Sequence, residues 1–286
     1  MHIKPMRTKP IHIKKGGATG WRQALVVAVV GCGLVGGAVA LSGPVRAAEE
    51  EKAKGLGSDW ATSQAKVDVE NKASLQRGAR NFAQYCLGCH SIKYERWSRM
   101  AQDLDVPVEL LQKDVMPPGT KPSEYVLTSM PAKDAETWFG KTPPDLSLIA
   151  RSRSPDYIYQ IWTTYYVDPS RPTGANNLRL PSIAMPNVLS ELEGVKRPVY
   201  KTVETQDAEG KPRTEQVFDH FEMIAPGRLS QAEYEGFVRD TVNFLSYVGE
   251  PSQAARRHLG VWVVLFLLLF TWLAWLMKKE YWKDVH

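Results

Sequence analysis

The sequence predicts a mainly α-helical domain with long loops and a small surface hairpin, joined to one C-terminal transmembrane helix. Three observations carry this. Leu259 to Met277 is an uninterrupted uncharged run long enough to cross a bilayer. Just before it, Ser230 to Val248 shows a capped apolar period of 3.6 residues. Earlier, a helical stretch runs into Cys86-Leu87-Gly88-Cys89-His90.

The N-terminus has the build of a secretory signal. Lys4, Arg7, Lys9, Lys14, Lys15 and Arg22 form a basic region, and Ala24 to Leu41 is apolar and broken by Gly31, Gly33, Gly36 and Gly37. Val45-Arg46-Ala47 resembles a small-residue cleavage site ahead of Glu49-Glu50-Glu51. The expected domains are a signal peptide at 1–48, a periplasmic domain at 49–257, a transmembrane helix at 258–278 and a cytoplasmic tail at 279–286. An uncleaved anchor, or lipidation at Cys32, is the alternative for the first segment. The whole chain carries +5, but residues 1–48 hold seven Lys/Arg and no acid, so the central region is mildly acidic. That excludes a nucleic-acid partner and is compatible with a basic protein partner.

Ser74 to Tyr85 reads as a helix whose Gly78 and Phe82, at i and i+4, share one face. The pentapeptide it leads into, C-x-x-C-H, is the attachment pattern of a c-type haem. The thiols of Cys86 and Cys89 add across the two vinyl groups, and the His90 imidazole ligates the iron. A thioredoxin-like pair would follow a strand, and no strand pattern precedes Cys86. A structural zinc site needs two further close ligands, and the remaining cysteine is Cys32.

Prolines punctuate the middle of the chain, from Pro117-Pro118 to Pro186. Within it Asp156 to Tyr166 is expected as one helix. Val199 to Glu204 and Thr214 to Phe218 flank Asp207-Ala208-Glu209-Gly210 as a short hairpin. In the last soluble helix, Ser230-Gln231-Ala232-Glu233 is a capping box. Tyr234, Phe237, Val238, Thr241, Val242, Leu245 and Val248 form its apolar face, and Gly249 and Pro251 end it. Packed across the first helix, it makes a small α-domain around one porphyrin, with Gly78 allowing close approach and Phe82 meeting Tyr247. The final apolar run spans about 28 Å, and Trp262, Trp272, Trp275, Tyr281 and Trp282 are placed as interfacial aromatics.

A thioether in the sixth position raises the potential and closes the iron to small ligands. The candidates are Met100, Met116, Met130, Met185 and Met223; Met185 stands in the apolar, proline-flanked Ile183-Ala184-Met185-Pro186-Asn187. His220 lies in a polar strand and is expected to be exposed.

Residues 70 to 286 resemble the cytochrome c1 family, the haem subunit of bc1-type complexes. The resemblance is carried by Cys86 to Tyr94, by Pro143-Pro144-Asp145-Leu146-Ser147-Leu148-Ile149-Ala150-Arg151-Ser152-Arg153, by Ala184-Met185-Pro186, and by Asn243-Phe244-Leu245-Ser246-Tyr247 followed by Glu250-Pro251. It implies a class I-like c-type cytochrome domain, one covalently attached haem c, and His90 and Met185 as the iron ligands. It also implies that Arg153 and Tyr157 approach a propionate. The partners implied are a cytochrome b subunit, a Rieske iron–sulfur protein as donor, and a soluble or membrane-bound cytochrome c as acceptor, within a dimeric complex of the bacterial cell membrane. The ligand loop departs from the family in reading Met185-Pro186-Asn187 where further prolines are common. A free-standing membrane-anchored c-type cytochrome is the alternative within the same chemistry. A haem-based sensor needs an open sixth position. No nucleophile–base pair, phosphate loop or paired-carboxylate motif gives the chain a catalytic site of its own.

Overall fold

The structure is a computed structural model that describes residues 57, 59–206 and 212–284. The expected signal segment, Cys32 and the Asp207–Gly210 turn lie outside the described residues. A short 3-10 turn at Trp60–Thr62 leads to α1 (Lys72–Tyr85), β1 (Ile92–Arg96), α2 (Trp97–Asp103), α3 (Val108–Asp114), β2 (Tyr125–Val126) and α4 (Ala132–Phe139). Then come α5 (Ile149–Arg153), α6 (Pro155–Thr163), β3 (Tyr165–Val167), β4 (Ala175–Asn177), α7 (Ser190–Glu193), β5 (Gly194–Gln206), β6 (Pro212–Pro226), α8 (Gln231–Gly249) and α9 (Gln253–Tyr281). The strands pair antiparallel as β1–β2, β3–β4 and β5–β6. The expected architecture holds: a helical domain with long loops and a hairpin, then one helix long and apolar enough to cross a membrane.

The domain is organised by α1 crossing α8. A Cβ on Gly78 would stand 2.1 Å from the Asp240 carbonyl oxygen and 2.6 Å from Phe244 Cβ, so the two backbones touch there and only glycine fits. A polar seam flanks the contact. Asp240 accepts from Ser74 Oγ at 2.7 Å and from the Arg77 guanidinium at 2.5 and 2.9 Å. Asn243 Nδ2 donates to Ser74 Oγ and to the Asp68 carbonyl, while Asn81 Nδ2 donates to Thr241 Oγ1 at 3.2 Å. These partners satisfy polar groups that burial would otherwise leave costly. Aromatic pairs close the interface: Phe82 with Phe244 at 5.8 Å, and Tyr85 edge-on to Phe237 at 5.4 Å. Phe82 thus pairs with Phe244 rather than the expected Tyr247, whose ring in turn lies 6.2 Å from that of Phe244.

The helix ends follow their caps. Asn71 Oδ1 accepts the Ser74 N–H at 3.1 Å, so α1 begins two residues before Ser74. Ser230 and Glu233 form both halves of the capping box of α8. The helix expected over Asp156 to Tyr166 stops at Thr163, because Thr164 Oγ1 turns back to the Gln160 carbonyl. Tyr165–Val167 then pairs with Ala175–Asn177 as strand, as aromatic and β-branched residues favour. The hairpin is far longer than the predicted core, reaching Gly194–Gln206 and Pro212–Pro226. The last helix spans 29 residues, about 43 Å, so it overhangs the apolar run at both ends.

Gly78→Ala forces a methyl into a backbone carbonyl and should destabilise the domain by about 2–3 kcal/mol. Thermal unfolding followed by circular dichroism should show a midpoint about 5–10 °C lower. An unchanged midpoint would show that the helices do not cross at Gly78.

Candidate functional site

The C-x-x-C-H segment grows out of the end of α1. The backbone N–H groups of Cys86 and Leu87 both donate to the Phe82 carbonyl at 2.9 Å, and those of Cys89 and His90 donate to the Cys86 carbonyl at 3.0 and 2.9 Å. The five residues are wound into one turn, with Cys86 buried and Cys89 and His90 half-buried. Cys86 and Cys89 are not joined to each other as a disulfide. Burial, reinforced by the neighbouring Cys89, pushes the Cys86 thiol up to about 12.

The second hallmark segment is laced along the residues that follow. Leu146 N–H donates to the Ser91 carbonyl at 2.8 Å. Lys93 N–H donates to Asp145 Oδ2 at 2.9 Å and Tyr94 N–H to Ser147 Oγ at 3.2 Å. Asp145 Oδ1 in turn accepts Ser147 N–H at 3.0 Å. At the head of the seam His90 Nδ1 stands 2.7 Å from the Pro144 carbonyl oxygen. A carbonyl can only accept, so Nδ1 carries the proton and Nε2 keeps its lone pair. Burial lowers the His90 pKa against the opposing Pro144 bond and the Asp145 charge, so the ring is neutral at pH 7. On the other flank, Thr128 holds Ser91 Oγ and the Gly88 carbonyl through its N–H and Oγ1, both at 2.9 Å.

The candidate methionines separate by environment. Met100 and Met116 are buried in the core, and Met223 is exposed on the hairpin. Met130 is half-buried next to Thr128. Met185 is half-buried against the core, and its carbonyl accepts from Tyr165 Oη at 3.1 Å. The approach to Met185 hangs on β4: Asn177 Oδ1 accepts the N–H groups of Arg179 and Leu180, and Asn176 Oδ1 accepts that of Ser182. Arg153 ends α5 exposed, with its guanidinium 5.8 Å from the Tyr157 ring centroid. The structure therefore brings Arg153 and Tyr157 together. His220 is exposed, as expected, and bonds Asp219 at 2.8 Å.

Sequence reasoning missed Tyr165, Arg179 and Glu95. Arg179 stacks on the Tyr157 ring at 4.8 Å. Nothing in Asn177-Leu178-Arg179 signals this, because it depends on two segments meeting in space. The donor set fits a haem rather than a bare ion: an imidazole with a free Nε2, a thioether on a braced loop, and two thiols in one turn. Among the described residues no group of three or more His, Cys, Asp or Glu could hold a metal ion.

A helical domain with C-x-x-C-H closing its first helix, crossed by its last soluble helix and followed by a membrane-length apolar helix, is a membrane-anchored c-type cytochrome. The Cytochrome C1 family model matches residues 60–207 and 227–285. The chain is 42% identical to cytochrome c1 of Allochromatium vinosum over 78% of its length and 88% of that protein. It is 38% identical to the ammonia monooxygenase gamma subunit of Nitrosomonas europaea over 80% of its length and 91% of that protein. Cytochrome c1 of Rhodospirillum rubrum is 26% identical over 75% of the chain and 83% of that protein. The chain belongs to the cytochrome c1 family, and so is an electron-transfer haem subunit carrying one covalently bound haem c.

Glu95 lies on β1, five residues beyond His90. It is 4% exposed, and its Oε1 has no hydrogen-bond partner. Burial, with Asp103 adding and Arg99 opposing, pushes its carboxyl up to about 7. Asp103 itself is held by Arg99 and by Tyr247 Oη, both at 2.8 Å. Between an ordinary carboxyl value near 4.5 and about 7, the folded state holds a proton that the unfolded chain has lost. Stability contributed by Glu95 is therefore complete below this window and falls as pH rises through it. Chemical denaturation at pH 5 and pH 8 should show a loss of about 2–3 kcal/mol that Glu95→Gln largely abolishes. A variant less stable than the natural chain at pH 8 would contradict this.

Proposed function

We propose that Cys86 and Cys89 carry the haem through thioether bonds, with His90 Nε2 and Met185 Sδ as axial ligands and Arg153 and Tyr157 at a propionate. The observation that carries this reading is the His90–Pro144 hydrogen bond, which joins the two hallmark segments and leaves one ring nitrogen free to ligate. The haem, when bound, supplies a one-electron couple, and a Met ligand sets it high. The chain's own residues do the rest. The Pro144 carbonyl fixes the imidazole tautomer, Tyr165 braces the Met185 backbone, and the α1–α8 aromatics keep water from the interior.

In this reading the chain takes electrons from a Rieske iron–sulfur protein and passes them to a soluble or membrane-bound cytochrome c. It is held beside a cytochrome b subunit by α9 in a dimeric bc1-type complex of the bacterial cell membrane. Residues 1–48 serve as a removed signal, 49–257 face the periplasm, 258–278 span the membrane and 279–286 lie inside. The exposed Trp262, Trp272 and Trp275 along α9, with Trp282 just after it, support a lipid or partner contact for that helix.

A second reading, subunit of an ammonia monooxygenase, is favoured by the 38% identity to the protein so named. Extraction in mild detergent through a C-terminal tag, followed by a reduced-minus-oxidised spectrum, separates the possibilities. Co-purifying b-type haem is the expected result. A c-type band alone would overturn the bc1-type assembly in favour of a free-standing carrier. A c-type band with ammonia-oxidising activity would support the second reading.

A further inference from the structure

Two cationic side chains from separate segments converge on one phenol. Arg153 arrives from the end of α5 and Arg179 from the loop after β4, at 5.8 and 4.8 Å from the Tyr157 ring centroid. Among the described residues neither guanidinium forms an ion pair or donates a side-chain hydrogen bond, whereas Arg77, Arg99, Arg197, Arg228 and Arg256 each pair with a carboxylate. Two guanidinium groups cannot share a ring without mutual repulsion, and a carboxylate between them removes it.

The backbone is bent to make this convergence. Ser154, which links Arg153 to α6, has φ 79° and ψ 152°, a region that costs a non-glycine residue energy and that marks functional sites. Ser154 Oγ then accepts the Tyr157 N–H at 3.2 Å, fixing the start of the helix that carries the ring. On the other arm Ser182, between Arg179 and Met185, has φ 64°. Its N–H and carbonyl are both held, by Asn176 and Arg171.

We propose that Arg179 is a second propionate-binding residue, closing with Arg153 around the haem carboxylates while the Tyr157 ring spaces the two guanidinium groups. The proposal rests on the haem reading above. Arg179 stands six residues before Met185 on the same braced loop. Its grip on a propionate therefore also restrains the loop that carries the proposed thioether ligand. A fixed positive charge near the iron disfavours the oxidised form, so it raises the potential.

The test is a redox titration of the full chain, purified with its haem in detergent, for the natural protein and for R179Q, R179K, R153Q and R213Q. Arg213 is an exposed hairpin residue that serves as a remote-charge control. R179Q should shift the oxidised-to-reduced ratio at the natural midpoint about threefold to tenfold toward the oxidised form, tenfold being 59 mV for one electron. R153Q should do the same, R179K should shift the ratio less than R179Q, and R213Q should leave the ratio alone. If R179Q does not accumulate with haem, R179A is read in its place. An R179Q or R179A potential indistinguishable from that of R213Q overturns the proposal while leaving the haem reading intact. A natural chain without a c-type spectrum overturns both.

Discussion

The close crossing of α1 and α8 at Gly78 is the contact on which the other positions depend. It brings Asp240 and Phe244 against the first helix, and that fixes where α1 ends. The end of α1 is the start of the C-x-x-C-H turn, since Phe82, one turn back, both packs on Phe244 and receives the N–H groups of Cys86 and Leu87. A helix that drifted at Gly78 would carry the cysteines with it. Packing energy thus becomes positional accuracy at a site where donor atoms must meet a rigid macrocycle.

The second constraint is the lacing of Pro144–Ser147 against His90–Tyr94. Its hydrogen bonds pass mostly between backbone and short polar side chains, which have little freedom to lose on ordering. The outcome is a histidine with one nitrogen committed and one free. Membership of the cytochrome c1 family accords with this geometry. The β5–β6 hairpin lies partly outside the family match, which skips residues 208–226. Its first strand lies within the match, and Lys196 on that strand is buried and bonds the Thr163 carbonyl at the end of α6.

Much of this was legible in the sequence because it depends on local pattern. The capping box at Ser230, the helix into Cys86, Gly78 as a contact glycine and the final apolar helix are each written in a few neighbouring residues. The errors fall where tertiary context decides. Asp156 to Tyr166 scans as one helix until Thr164 turns back to Gln160 and Tyr165 finds a strand partner. The hairpin was underestimated because Pro198 and a run of polar residues hide its length, which cross-strand pairing from Gly194 to Pro226 supplies. Phe82 finds Phe244 as its aromatic partner, a choice set by how the two helices meet and not by either helix's own pattern. Arg179 and Glu95 have no local motif, since their roles come from a ring and a cavity built by distant segments.

The central claim is that this fold commits both axial positions of one haem, through His90 and Met185. The most direct measurement is the carbon monoxide difference spectrum of the reduced full chain, taken beside that of Met185→Leu. The account predicts no carbon monoxide complex in the natural chain and a full one in the variant, because loss of the thioether opens the sixth position. Carbon monoxide binding by the natural chain, or a variant that binds none, would contradict it.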